Sequence, residues 1–126
     1  MKTILVVEDD PNQGLLYEQE LMDEGYRVLR AMDGREAIKV VEEHRPDCVV
    51  LDINLPVMNG LDALSKILDA QPGLPVIINT AYASYQDNFM SWAADAFVVK
   101  SSNLTELKSR IKASLEKAQL ESPREE

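Results

Sequence analysis

Cysteine and histidine are nearly missing from this chain. Cys48 is the only cysteine and His44 the only histidine among 126 residues. A single thiol closes no internal disulfide, and its place in an apolar run marks it as a small buried hydrophobe. His44 ends a helical stretch, where the helix dipole favours a cation, so it reads as a cap rather than a metal ligand. Basic residues are also scarce. Thirteen of them face twenty-two acidic residues, a net charge of −9, which argues against direct contact with nucleic acid. No stretch approaches the roughly 18 consecutive apolar residues of a membrane span. The N-terminus reads directly as a strand rather than as a signal peptide, so the expected location is cytoplasmic, with no membrane partner. Internal repeats and low-complexity linkers are absent, and the methionines are scattered.

What is present is a set of apolar runs that end on polar groups. Ile4-Leu5-Val6-Val7 ends in Glu8-Asp9-Asp10, and Asp47-Cys48-Val49-Val50-Leu51 closes on Asp52. Val76-Ile77-Ile78 leads through Asn79 to Thr80-Ala81, and Phe97-Val98-Val99 ends in Lys100. Strand-like and helix-like segments alternate, which predicts a parallel sheet with helices on both faces. Strands are expected at about 2–7, 26–31, 47–52, 75–80 and 95–100. A first helix begins at Pro11 behind an Asp10 N-cap and ends near Glu24, before Gly25. A second runs from about Arg35 to His44, with Ala37, Ile38 and Val41 on one face and Pro46 blocking its continuation. A third follows Gly60 through Leu61, Leu64 and Leu68, until Pro72-Gly73 breaks it. A weaker periodicity through Tyr85, Phe89 and Trp92 predicts a helix at about 84–92. Asn103 and Glu106 have capping-box spacing ahead of a final helix with Leu104, Leu107, Ile111, Leu115 and Ala118 on its apolar face. The pattern amounts to (βα)₅, an α/β domain that takes up the whole chain except a polar tail.

In an open parallel sheet the carboxyl ends of the strands share one edge, and ligands bind there. Carboxylates, a hydroxyl and an amine on that edge suggest Mg²⁺-dependent phosphoryl chemistry. Asp52 can attack phosphorus as a carboxylate and form an acyl phosphate, with no general base required. An anion attacking a phosphoryl dianion needs cations nearby. Glu8, Asp9, Asp52 and the backbone carbonyl of Asn54 form a candidate oxygen set for Mg²⁺. Lys100 supplies a second cation, and Thr80 offers a hydroxyl to a phosphoryl oxygen. Each residue alone has a plainer reading, as a cap, a turn residue or surface charge. Their shared position on one sheet edge is what gives them weight.

Over about residues 1–119 the chain resembles a response-regulator receiver domain of two-component signalling, with 120–126 left as the polar tail. The matching stretches are Ile4 to Pro11, Asp52 to Gly60, Thr80-Ala81 and Lys100, and the Asp-x-x-x-Pro-x-x-x-Gly loop is the most specific. The resemblance implies a flavodoxin-like, doubly wound parallel five-stranded sheet of order 2-1-3-4-5. It implies Asp52 as phosphoacceptor, Asp9 as direct Mg²⁺ ligand and Glu8 as a ligand largely through water. Thr80 becomes the switch hydroxyl, Lys100 the phosphate-pairing amine and Phe97 the switch aromatic. The implied partners are a histidine kinase or phosphotransfer protein, and a downstream protein reading the predicted helix at 84–92, the last strand and the final helix. The chain would be a stand-alone signalling switch with Mg²⁺-dependent self-phosphorylation and dephosphorylation, not a turnover enzyme.

Three features depart from the family pattern or modify it. Ser101 stands where the family usually has proline, often after a cis peptide. A cis bond before a non-proline costs about 2.5–4 kcal/mol, so a trans bond is expected here. Glu8 replaces the commoner aspartate and keeps the charge. Asn54 and Tyr82 follow Asp52 and Thr80 by two residues, at positions that flank the phosphoryl group in the family. The alternative reading is a receiver-like interaction module that works without phosphorylation. An aspartyl phosphatase ranks lower, because such enzymes use a second aspartate where Asn54 stands. A flavodoxin-like cofactor carrier is poorly supported, since no glycine-rich phosphate loop follows the first strand.

Overall fold

The computed structural model describes residues 1–81 and 94–121. The helix expected at 84–92, with Tyr82, Tyr85, Phe89 and Trp92, lies outside the described residues, and so do 122–126. Five strands, β1 (Thr3–Val7), β2 (Arg27–Ala31), β3 (Cys48–Leu51), β4 (Val76–Thr80) and β5 (Ala96–Val99), pair in parallel in the order β2-β1-β3-β4-β5. Four helices are described, α1 (Pro11–Asp23), α2 (Gly34–His44), α3 (Gly60–Ala70) and α4 (Thr105–Glu121). The flavodoxin-like order inferred from the resemblance is the observed one. Among the described residues no helix is long and apolar enough to cross a membrane.

Successive strand residues point to opposite faces, and the apolar runs fill both. Leu5, Val7, Val49, Leu51, Val76 and Ile78 pack with Ala37 and Val41 of α2 and with Ala63, Leu64 and Ile67 of α3. Ile4, Val6, Cys48, Val50 and Ile77 pack with Tyr17 and Leu21 of α1 and with Leu107 and Ile111 of α4. The central strands β1 and β3 are almost wholly buried, as their unbroken hydrophobicity requires, whereas β2 at the edge is half exposed.

Side-chain caps hold three helix starts. Asp10 Oδ1 accepts from the Asn12 and Gln13 N–H groups at 2.9 and 3.4 Å. Asp33, which the sequence pattern did not single out, accepts from Glu36 N–H at 2.8 Å and starts α2 one residue early. Glu36 Oε1 in turn accepts from Met32 N–H at 2.8 Å. Asn59 accepts from Asp62 N–H at 2.9 Å at the start of α3. The capping box expected between Asn103 and Glu106 does not form. Lys108 N–H donates to the Leu104 carbonyl, so α4 starts one residue later than the box needs. Asn103 Oδ1 instead accepts from Thr105 N–H at 2.9 Å, and the Asn103 N–H donates to Ser101 Oγ at 3.1 Å. Short polar side chains compete for such local turns as readily as they cap. At its other end α4 runs on to Glu121, into the stretch expected as tail.

Cys48 is fully buried in β3, and burial pushes its thiol well above the ordinary range. The thiolate is the reactive form. An alkylating reagent at about pH 8 is therefore expected to leave Cys48 unmodified in the native protein and to label it completely in denaturant. Native labelling at the rate of a free thiol, followed by mass spectrometry, would contradict this burial.

Candidate functional site at the carboxyl edge of the sheet

The ladder continues one residue past three strands and fixes the charged groups by their backbones. Glu8 N–H donates to the Ala31 carbonyl at 3.0 Å, Asp52 N–H to Val7 at 3.1 Å and Lys100 N–H to Thr80 at 2.7 Å. Glu8 and Asp52 therefore stand side by side on neighbouring strands. Lys100 starts two strands from Asp52, roughly 10 Å at the usual strand spacing, a gap that a long side chain can span. Its Nζ lies 2.7 Å from Asp52 Oδ2 and 2.7 Å from Glu8 Oε1.

Each of these carboxylates has a backbone donor on its second oxygen. Asp10 N–H donates to Glu8 Oε2 at 3.2 Å, and Asn54 N–H donates to Asp52 Oδ1 at 3.0 Å. The side chains of Glu8, Asp52 and Lys100 are 3%, 7% and 15% exposed, so their interactions are little screened by solvent. Burial raises Glu8 above the usual carboxylate value despite its hydrogen bond to Lys100. Burial pulls Lys100 down, but hydrogen bonds to Asp52 and Glu8 outweigh it and leave the ammonium above the ordinary lysine value. Lys100 is thus a fixed positive charge at neutral pH.

Asp9 completes the acidic group from an exposed position. Oxygens of Glu8, Asp9 and Asp52 lie within 4.8 Å of one another. With all three ionised, one ammonium leaves the cluster short of two positive charges. An all-oxygen donor set with that deficit fits a hard divalent cation such as Mg²⁺. Asn54 is on the same loop, exposed, with its N–H turned to Asp52.

Thr80 ends β4 between the Asp52 and Lys100 strands and is completely buried. Phe97 lies opposite Ile78 in the β4–β5 register, 7% exposed and packed in the core on the α2/α3 side. A phenylalanine carries no hydroxyl that would hold it at the surface. Ser101 follows Lys100 through a trans bond, since the described residues contain no cis peptide.

The loop after Asp52 is closed by backbone contact. Gly60 N–H donates to the Ile53 carbonyl at 3.2 Å, and a Cβ on Gly60 would lie 2.5 Å from Ile53 Cα. Only glycine fits. Met58 packs against Gly34 at the start of α2, and Val57 has a positive φ of 74° with its side chain exposed. One further set of contacts escaped the sequence pattern. Arg30 reaches from β2 across Gly14 to the Pro11 carbonyl at 3.2 Å and to Glu18 at 3.3 Å, clamping the first turns of α1.

A family model for the response regulator receiver domain matches residues 4–112. The chain belongs to the receiver-domain family. Among curated relatives, the receiver domain is 39% identical over 115 residues to the probable transcriptional regulatory protein TcrX of Mycobacterium tuberculosis, covering 90% of this chain and 49% of TcrX. It spans about half the length of the curated relatives it matches. Among solved structures it superposes on the response regulator TrrA of Thermotoga maritima in complex with Mg²⁺-BeF. That match has a TM-score of 0.86 and 42% identity, and covers 90% of this chain and 99% of TrrA. TrrA in complex with the histidine kinase ThkA gives a TM-score of 0.84 and 43% identity, over 91% and 99% of the two chains.

Two substitutions test the receiver-domain site. Lys100→Met leaves two buried carboxylates without their cation and is expected to cost about 3–5 kcal/mol in chelator, part of it restored by Mg²⁺. Denaturant titrations with and without Mg²⁺ measure both, and equal stability to wild type in chelator would contradict the bridge. Gly60→Ala is expected to cost about 1–3 kcal/mol through the contact with Ile53, and an unchanged denaturation midpoint would contradict that contact.

Proposed function

We propose that this receiver domain accepts a phosphoryl group on Asp52 from a histidine kinase or phosphotransfer protein and signals through a phosphorylation-driven change of surface. The observation that carries the reading is the Asp52 carboxylate itself. It is buried, hydrogen-bonded to a lysine, and within 4.8 Å of two further carboxylates. Glu8, Asp9, Asp52 and the Asn54 carbonyl are the residues that would hold Mg²⁺. When bound, Mg²⁺ supplies the positive charge that lets an anionic carboxylate meet an anionic phosphoryl group. The Mg²⁺-BeF complex of TrrA and its complex with ThkA support the same reading by likeness.

In this reading the residues divide the work. Asp52 supplies the attacking oxygen. Lys100 is already in hydrogen-bond contact with that carboxylate and pairs with the oxygens of the incoming group. The Thr80 hydroxyl donates to one of those oxygens from the next strand. A hydrogen bond to a charged group contributes about 1.5–3 kcal/mol, whereas shifting a population from 1:99 to 99:1 takes about 5.5 kcal/mol. Thr80 alone is too weak, so Lys100 and the packing around Phe97 must share the task. Phe97, buried at 7% exposure, is the aromatic that would share in that repacking.

The domain is a switch rather than a turnover enzyme in this reading, working in the cytoplasm. Its output is contact with a downstream protein through β5, α4 and the segment at 84–92. The exclusion of nucleic acid is confined to this domain's own acidic surface, since the relatives of twice its length are named as transcriptional regulators. Incubation with Mg²⁺ and acetyl phosphate is expected to add one phosphoryl group to wild type. It should add none to Asp52→Ala, and none to wild type in chelator. Intact-mass measurement decides. No adduct on wild type, or the same adduct on the variant, would contradict the proposal.

A further inference from the structure

The first turns of α1 carry a contact that the acceptor chemistry as described does not use. Arg30, on the edge strand β2, lays its guanidinium across the helix. Its Nη2 donates to the Pro11 carbonyl at 3.2 Å and its Nη1 to Glu18 Oε1 at 3.3 Å. Such a fork needs a helix surface with no side chain beneath it. A Cβ on Gly14 would lie 2.6 Å from Nη2 and 3.0 Å from Nε, so the guanidinium is seated on Gly14. Glycine inside a helix is unfavourable relative to alanine, and here its bare backbone is what admits the arginine. The Arg30 and Glu18 side chains are both 30% exposed, and an ion pair that open to water adds little to global stability. What the fork does is fix a position.

The position it fixes borders the acidic cluster. Two adjacent residues of β2 hold the two ends of the segment 8–11. The Ala31 carbonyl accepts from Glu8 N–H at 3.0 Å, and Arg30 grips the Pro11 carbonyl. Inside the segment, Glu8 is tied to Lys100, and Asp10 caps α1 through Asn12 and Gln13. Asp9 differs from both. It is exposed, and among the described residues no hydrogen bond or ion pair holds its carboxylate. Yet an oxygen of that carboxylate lies within 4.8 Å of oxygens of Glu8 and Asp52. Its place in the cluster is therefore set by the backbone of residues 8–11. The sheet ladder anchors that backbone only at Glu8, and Arg30 anchors it at Pro11.

We propose that Arg30, seated on Gly14, is a positioning residue for the cation site: it holds Pro11, and with it the backbone that places Asp9 for a divalent cation. This rests on the phosphoryl-acceptor reading and deepens it. The test compares wild type, Arg30→Ala and Gly14→Ala. The readouts are Mg²⁺ affinity by calorimetric titration, melting temperature, and hydrogen exchange in chelator at the Asn12, Gln13 and Gly14 amides, which donate to Asp10. Arg30→Ala is expected to speed exchange at those amides and to weaken Mg²⁺ binding about tenfold, the low end of what outer-shell partners of metal ligands control. The sign decides between two roles. Removing a positive charge beside an acidic site would by charge alone tighten cation binding, whereas loss of positioning weakens it. Gly14→Ala keeps the arginine but displaces it, and alanine is the better helix former. It should weaken Mg²⁺ binding to a similar extent with no loss of melting temperature, which keeps the test available if Arg30→Ala folds poorly. Unchanged or tighter Mg²⁺ binding in either variant would overturn the proposal. No Mg²⁺ binding by wild type would instead overturn the cation site itself, and this proposal with it.

Discussion

The Lys100 ammonium, held 2.7 Å from both Asp52 and Glu8, is the interaction on which the site depends. Two neighbouring carboxylates at 3% and 7% exposure would repel each other without it. One lysine satisfies an oxygen of each but cannot neutralise a cluster that also includes Asp9. That imbalance makes the edge a receptive site. It favours a divalent cation, and together with the lysine that cation can offset the charge of a phosphoryl group. The raised position of Glu8 and of Lys100 describes the same arrangement from its two sides, a carboxylate short of solvation and an ammonium rich in partners.

The strand order makes this bridge possible. Glu8 and Asp52 are far apart in sequence and become neighbours because β1 and β3 pair in parallel with their ends aligned. Lys100 reaches them because only β4 separates β5 from β3. The loop that follows Asp52 cannot drift, since Gly60 closes it onto Ile53 and Asn59 caps the helix beyond. The Arg30 clamp and the Asp10 cap steady the other acidic segment. Ser101, where the family usually has proline, orders its own turn by accepting from the Asn103 N–H. The loop that carries Lys100 thus has a local anchor of a different kind.

Most of the fold and the main charged residues were legible because each buried strand is a nearly pure apolar run that stops on a polar residue. That pattern located Glu8, Asp9, Asp52, Thr80 and Lys100, and the parallel alternation placed them on one edge. The resemblance then supplied the strand order, which periodicity alone does not contain. Asp33 and Asn103 show where local reading runs out. Both can cap, and which one does depends on where the helix axis must lie to bury Ala37 or Leu107. The clamp of Arg30 over Gly14 joins residues on different elements, so only their meeting in space reveals it.

The atom that takes the phosphoryl group distinguishes an aspartyl acceptor from every other reading of this edge. An acyl phosphate, unlike a phosphate ester, is reduced by borohydride, which converts the modified aspartate to homoserine. Treating the acetyl phosphate-loaded protein with borohydride and mapping its peptides should place the reduced residue at position 52 and at no other. Reduction at Asp9, Asp10 or Glu8, or a phosphoryl group that survives borohydride as an ester on Thr80 or Ser101, would contradict the account.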